Sequence, residues 1–299
     1  SPYIKVEVGS DNYSRSLALG SLDLNRGVML SALEVMKNDG PWVLPADVDK
    51  VNFLTQYTLD LHETQIKTVL TVYDNNWNST DQIPQRQVLS GAMGRFGFVD
   101  PSLGGDSSRL NMVFEMSNDS YSAGLYLSRY KLDLFGNFTY FQEDPLNGDA
   151  HEQVDRRWIY GGHFEFQREL TSRINLRTGT DMRSDQIGEV SLHAVENRIR
   201  LGLVRQDIVD WLSLGVFSEL EIELSDKLKS LLGVRVDYSD YDVLSDMPDN
   251  SGKGSDDIWL PSIGFAYEVG RFGELYLNWG KGFHSNDVRG ATIAFDPLS

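Results

Sequence analysis

The chain has 299 residues, enough for one large domain, and its hydrophobic share of 40% is low for a dry globular core. With 27 Lys and Arg against 44 Asp and Glu, the net charge of −17 repels phosphate backbones and sets nucleic acid aside as a partner. Cysteine is absent, which excludes disulfides and thiolate chemistry, and no apolar run reaches the roughly 18 residues of a transmembrane helix.

Helical periodicity is scarce, and period two recurs from end to end. The alternation predicts strands at 3–9, 13–23, 27–37, 50–60, 64–75, 107–118, 121–131, 134–141, 157–169, 173–185, 211–224, 228–243, 258–269 and 274–283. If 121–141 is a single strand, the count is thirteen instead of fourteen. Along 173–183, Ile174, Leu176, Thr178 and Thr180 oppose Arg173, Arg177, Asp181 and Arg183. Along 212–224, Leu212, Leu214, Val216, Leu220, Ile222 and Leu224 oppose Glu219, Glu221 and Glu223. Along 231–238, Leu232, Val234, Val236 and Tyr238 oppose Gly233, Arg235 and Asp237. A face carrying that many charges must meet water.

The connections alternate as well. Short ones at Leu24–Arg26, Leu61–Glu63, Asp119–Ser120, Leu170–Ser172, Ser225–Lys227 and Gly270–Gly273 fall between long ones at 38–49, 76–106, 142–156, 186–210 and 244–257. A membrane barrel has short turns on one rim and long loops on the other, and its strands need about 9–11 residues to span. The expected fold class is therefore all-β, an antiparallel transmembrane β-barrel. A long-stranded soluble sheet with one wet face would share the alternation but has no reason to put every long loop on one side.

Longer stretches carry recognisable text. Trp77-Asn78-Ser79-Thr80-Asp81-Gln82-Ile83-Pro84-Gln85-Arg86 leads into Arg95-Phe96-Gly97 and then Asp100-Pro101-Ser102-Leu103-Gly104-Gly105-Asp106-Ser107-Ser108-Arg109. Asn137-Phe138-Thr139-Tyr140-Phe141 precedes Asp144-Pro145 and Asp155-Arg156-Arg157. Near the end, Glu274 to Gly280 runs into Gly282-Phe283-His284-Ser285-Asn286-Asp287-Val288-Arg289-Gly290. Asn38-Asp39-Gly40-Pro41-Trp42 fits the same picture. Together these resemble the barrel domain of TonB-dependent outer-membrane receptors, in order and over almost the whole chain. The resemblance implies that residues 1–299 form 13–14 strands of a barrel of about 22, with plug, TonB box and closing strands outside this sequence. It implies a bacterial outer-membrane receptor, not an enzyme. Its expected partners are a small solute or metal complex (a siderophore or cobalamin, for example), membrane lipid, and the TonB complex through an N-terminal region absent here. A passive porin is the alternative.

Candidate ligand-, lumen- or plug-facing residues sit in two places. Trp77, Asp81, Gln82, Arg86, Arg95 and Phe96 belong to the longest connection, with Arg109 just beyond it, and mix aromatic surface with orienting charges. Local pairing of Asp81 with Arg86, and bracing by Arg95 and Arg109, is the structural counterpart of that reading. His284, Asn286, Asp287 and Arg289 follow the last strand, placed either to read ligand or to pin a neighbouring loop. No catalytic, cofactor or metal site is expected. The oxygen-rich stretch around Asp144 and Asp149 lacks the spacing of a calcium-binding helix-loop-helix and reads as a tight turn. The five histidines lack paired metal-ligand spacing.

Overall fold

The computed structural model describes residues 2–283 and 287–295 and, of Phe272, the backbone alone. Thirteen strands form one sheet in chain order, each antiparallel to the next. They are β1 (Tyr3–Val8), β2 (Ser14–Leu24), β3 (Gly27–Asn38), β4 (Val48–Leu61), β5 (Thr64–Asn78), β6 (Gly104–Ser117), β7 (Tyr121–Gly136), β8 (His151–Thr171), β9 (Ile174–Glu196), β10 (Ile199–Ser225), β11 (Leu228–Ser245), β12 (Gly252–Glu268) and β13 (Glu274–Gly280). A short α1 (Gln85–Leu89) lies between β5 and β6, and α2 (Arg289–Thr292) follows β13. Among the described residues the sheet is open, with β1 and β13 at its edges.

The alternation read from the sequence becomes two chemically distinct faces because side chains of neighbouring strands stand in register. Leu214 pairs with Met182 and Tyr238, and Val216 with Thr180 and Val236, so one face is apolar across β9, β10 and β11. Val216 is 51% exposed, and Leu212, Leu232, Val234, Trp259, Leu277 and Trp279 are exposed with it. In water such a continuous band would be a liability; facing lipid it is the solvation the chain needs.

The opposite face is a lattice of ion pairs. Arg177 donates to Glu165 at 2.8 Å and Glu219 at 3.1 Å, joining β8, β9 and β10. Arg235 reaches Asp181 at 2.7 Å and Asp237 at 2.5 Å, joining β9 and β11. Burial is inverted relative to a soluble protein: Glu152, Asp185, Asp207 and Asp237 are buried, and among the described residues the buried apolar cluster is only Ile187, Val209 and Val243.

Three sequence expectations are corrected. Residues 134–141 form no strand of their own. β7 runs through to Gly136, and the Asn137 side chain then accepts the Tyr140 N–H at 2.8 Å, turning the chain aside. Residues 186–210 are not a loop: β9 and β10 continue to a two-residue turn at Asn197 and Arg198, both with positive φ (52° and 63°). Register shifts opposite Arg156/Arg157 and between Asp207 and Val209 are the reason, because each bulge slips the period by one residue and erases the alternation while the strand goes on. The stretch 244–257 is likewise mostly strand, with only 246–251 between β11 and β12. β10 has 27 residues where spanning takes about 9–11, so the β9–β10 hairpin stands well clear of a bilayer.

Candidate functional site

At the long-connection end of the sheet, residues 79–103 and 137–150 face one another across a cavity of about 600 Å³ lined by Gln82, Arg86, Gln87, Phe138, Tyr140 and Phe141, among others. Pro84 supplies the fixed φ of −65° that starts α1, and its carbonyl takes the Gln87 N–H at 2.9 Å. That short turn presents Arg86 and Gln87 from one wall. Tyr140 comes from the other wall in a left-handed conformation (φ 65°), held by Asn137 and by its own hydroxyl, which donates to the Gln82 carbonyl. Burial raises the Tyr140 pKa, so the phenol stays a neutral donor. Phe138 and Phe141 are 64% and 56% exposed, and Arg86 has no ion-pair partner among the described residues. Exposed rings, a free guanidinium and glutamine amides suit a polar solute with flat or apolar surface.

The predicted residues divide accordingly. Gln82 and Arg86 line the cavity. Asp81 does not pair with Arg86: it accepts the Ser79 hydroxyl at 2.7 Å in a local turn. Trp77 lies on β5 opposite Gly105, where a Cβ would meet its ring at 3.2 Å. Phe96 packs edge-on against Trp42 at 5.7 Å, while its carbonyl takes the Val43 N–H, tying 79–103 to 39–47. Arg95 is exposed and does not line the cavity. Arg109 lies over the Tyr130 ring at 4.9 Å, bracing β6 against β7.

Asp287 and Arg289 fall in a second group, on the charged face. Arg289 pairs with Asp287 at 2.6 Å and reaches Asp207 of β10 at 3.6 Å. Asp207 also accepts from Arg205 at 2.6 Å. A cavity of about 320 Å³ adjoins them, lined by Arg205, Arg289, Asp155 and Gln153 together with Leu132 and Val190. Val288 packs on the Ile187/Val209/Val243 cluster, and the buried Asn250 side chain accepts the Ala294 and Phe295 N–H groups. Residues 287–295 are thus pinned along the inner wall. His284 and Asn286 lie outside the described residues.

Sequence reasoning passed over Phe138, Tyr140, Phe141, Arg198 and Asp207 as site residues. The aromatic run before Asp144-Pro145 was the available signal for the first three; nothing local in the sequence marks the others.

The Asp144–Asp149 turn holds its carboxylates inward. Asp149 accepts the N–H groups of Gln142 at 2.8 Å and Asp144 at 2.8 Å, and Asp144 accepts those of Leu146 and Asn147 at 2.9 Å. Among the described residues no group of side chains is arranged to hold a metal ion. Burial pushes the Asp149 pKa up, but the backbone donors of Asp144, Glu143 and Gln142 and the Thr139 side chain outweigh it and bring the value down to about 2 from 3.8. A depressed carboxylate stabilises above its unfolded pKa, and that stabilisation is lost as pH falls toward the folded value. Amide protection at 142–149, relative to the intrinsic exchange rate at each pH, is therefore expected to be high at pH 5 and to fall between about pH 4 and 2. Asp149→Ala should leave these amides weakly protected throughout; wild-type protection that does not change with pH would refute the assignment.

A sequence model of the family described as TonB dependent receptor-like, beta-barrel, matches residues 25–295. No curated protein matches the sequence. Among solved structures, the unliganded ferric citrate transporter FecA superposes with a TM-score of 0.70 at 10% identity, over 91% of this chain and 42% of its own. The ferric-catecholate import receptor Fiu from E. coli K12, in its open form, gives 0.65 at 12% over 92% and 53%, and the copper transporter OprC 0.65 at 13% over 93% and 44%. The chain spans about half or less of those proteins, and at such identities the likeness is one of fold.

Proposed function

The chain belongs to the TonB-dependent receptor β-barrel family, and from that membership we propose that it captures a scarce solute for energy-coupled uptake. Its place is the bacterial outer membrane, and the family consists of transport proteins, not enzymes. The solute class we favour is a siderophore, cobalamin or other metal complex, with energy coming from the inner-membrane TonB complex.

One observation carries this reading: the cavity between 79–103 and 137–150 is lined by Arg86, without an ion-pair partner among the described residues, and by the exposed Phe138 and Phe141. Diffusion through a passive channel needs no such convergence of ring and charge, whereas capture at low concentration does. The named cargoes of several structural neighbours, ferric citrate, ferric catecholate and copper, support a metal-complex substrate without selecting one. The inner-wall ion pairs of Arg177 and Arg235 would face the barrel's contents and keep the lumen hydrated.

The test is uptake by cells that make the intact receptor as their sole route for a labelled panel of ferric siderophores, cobalamin and copper complexes. At least one member should accumulate against its gradient, and a protonophore should stop accumulation without stopping surface binding. Entry that continues unchanged under the protonophore would instead establish a passive channel.

A further inference from the structure

We propose that Arg198, at the tip of the β9–β10 hairpin, is the positioning residue of the solute-facing loop: its guanidinium latches residues 79–103 in place and thereby sets the cavity that contains Arg86. The inference rests on the reading that this cavity receives the solute. The tip is remote from the loop in sequence, by 96 residues to Ser102 and 120 to the flanking Asn78, yet one side chain makes three hydrogen bonds at the loop's ends. Arg198 Nε donates to the Ser102 carbonyl at 2.7 Å, and its Nη2 donates to the Leu103 carbonyl and to Asn78 Oδ1, both at 3.1 Å. The guanidinium plane also lies over the Phe135 ring at 5.0 Å. The Leu103 carbonyl accepts in addition from the Ser79 N–H at 3.0 Å, so Arg198 grips the two ends of the 79–103 loop where they meet. Leu103 is wholly buried beneath this contact.

Two features separate a latch from incidental packing. The contact is a fork onto two successive carbonyls and an amide, a geometry that arginine's planar donors satisfy and lysine's single ammonium does not. The backbone also argues against chance. Asn197 and Arg198 both have positive φ in a two-residue hairpin turn, where the second position favours glycine. An arginine there runs against the turn's own preference, and the contacts made by its side chain are what it offers in return. Arg200, two residues on, donates to Glu152 of β8 at 2.5 Å and keeps the hairpin tip at that height.

Arg198→Gly separates latch from hairpin, because glycine suits the turn and removes the fork. In the intact receptor in detergent, amide exchange across 79–103 should rise at least tenfold in R198G, while the β9–β10 amides stay unchanged. R198K should fall between R198G and wild type. The cavity is read in the same samples with anilinonaphthalene sulfonate, an aromatic anion matched to Phe138, Phe141 and Arg86. Its affinity should weaken at least threefold in R198G and in R86Q, and recover partly in R198K. Unchanged exchange in R198G would overturn the latch. Faster exchange with unaltered dye affinity, R86Q still weakening the dye, would reduce Arg198 to a structural tie and overturn its positioning role. Dye binding that ignores R86Q would overturn the cavity reading itself, a failure distinct from the other two.

Discussion

Replacing Asp207 by alanine is expected to destabilise the intact receptor by about 3–5 kcal/mol, the range for removing one partner of a buried ion pair. Asp207 is fully buried on β10 and faces two guanidinium groups, Arg205 on its own strand at 2.6 Å and Arg289 at 3.6 Å from the segment after β13. Alanine leaves both cations without their shared counter-charge, next to an Arg157 already committed to Asp155. Asp287 still neutralises part of Arg289, so the loss falls mainly on Arg205. One oxygen of Asp207 and one nitrogen of Arg205 are buried without a partner among the described residues, so the native pair is itself incompletely solvated. Removing both charges, as in R205M/D207L, should therefore cost much less than D207A alone. Urea unfolding of vesicle-reconstituted receptor gives both numbers. A drop below about 1 kcal/mol for D207A, or a double variant as unstable as the single, would mean that the site is wetter than the burial indicates. The same substitution should free residues 287–295, because Arg289 loses its anchor on β10.

How much of this could be read from the residues differs between scaffold and site. β11 was legible because Leu232, Val234, Val236 and Tyr238 alternate without interruption against Arg235 and Asp237, and the register keeps them so. β9 and β10 were legible only up to their bulges. Beyond Gly188 and Ile208 the alternation slips, and a rule based on period two ends the strand where the structure does not. The extra length matters, because it carries Arg198 to the 79–103 loop. Its contacts join segments about a hundred residues apart, which no local pattern encodes. Asp207 was hidden for a related reason, since a carboxylate in an acidic chain looks solvated until the fold places two arginines upon it. Arg86 and Gln82 were singled out because a long connection rich in charge and ring surface is where a rigid scaffold displays recognition groups, and both lie on the cavity wall, their contact with solute being the proposal. Their facing wall, Phe138 to Phe141, was visible as text but not as a partner.

The second large effect tests the orientation of the sheet itself. Val216→Arg should cost about 2–4 kcal/mol, the penalty for a cation on the lipid face near the bilayer midplane. Val216 lies midway along the apolar side of β10, between Thr180 and Val236, with Leu214 and Leu220 on the same side. Half of its surface is open, and its polar cross-strand neighbour Thr180 spends its hydroxyl on the Gly215 carbonyl at 2.9 Å, so an arginine there could leave hydrocarbon only by snorkelling. The comparison is Glu219→Gln, three residues on and on the opposite face. That change also shifts the net charge by +1, but Glu219 shares Arg177 with Glu165, and Arg177 is about half exposed, so a solvent-screened loss below about 1 kcal/mol is expected. The pair isolates side from charge. In a soluble sheet with one wet face, V216R would be the cheap change, because the exposed valine would already stand in water. Refolding of the intact receptor into phospholipid vesicles separates the cases. A large penalty for V216R with a small one for E219Q requires lipid against Val216 and water against Glu219; equal penalties would leave the two faces without distinct solvents, and the barrel reading with them.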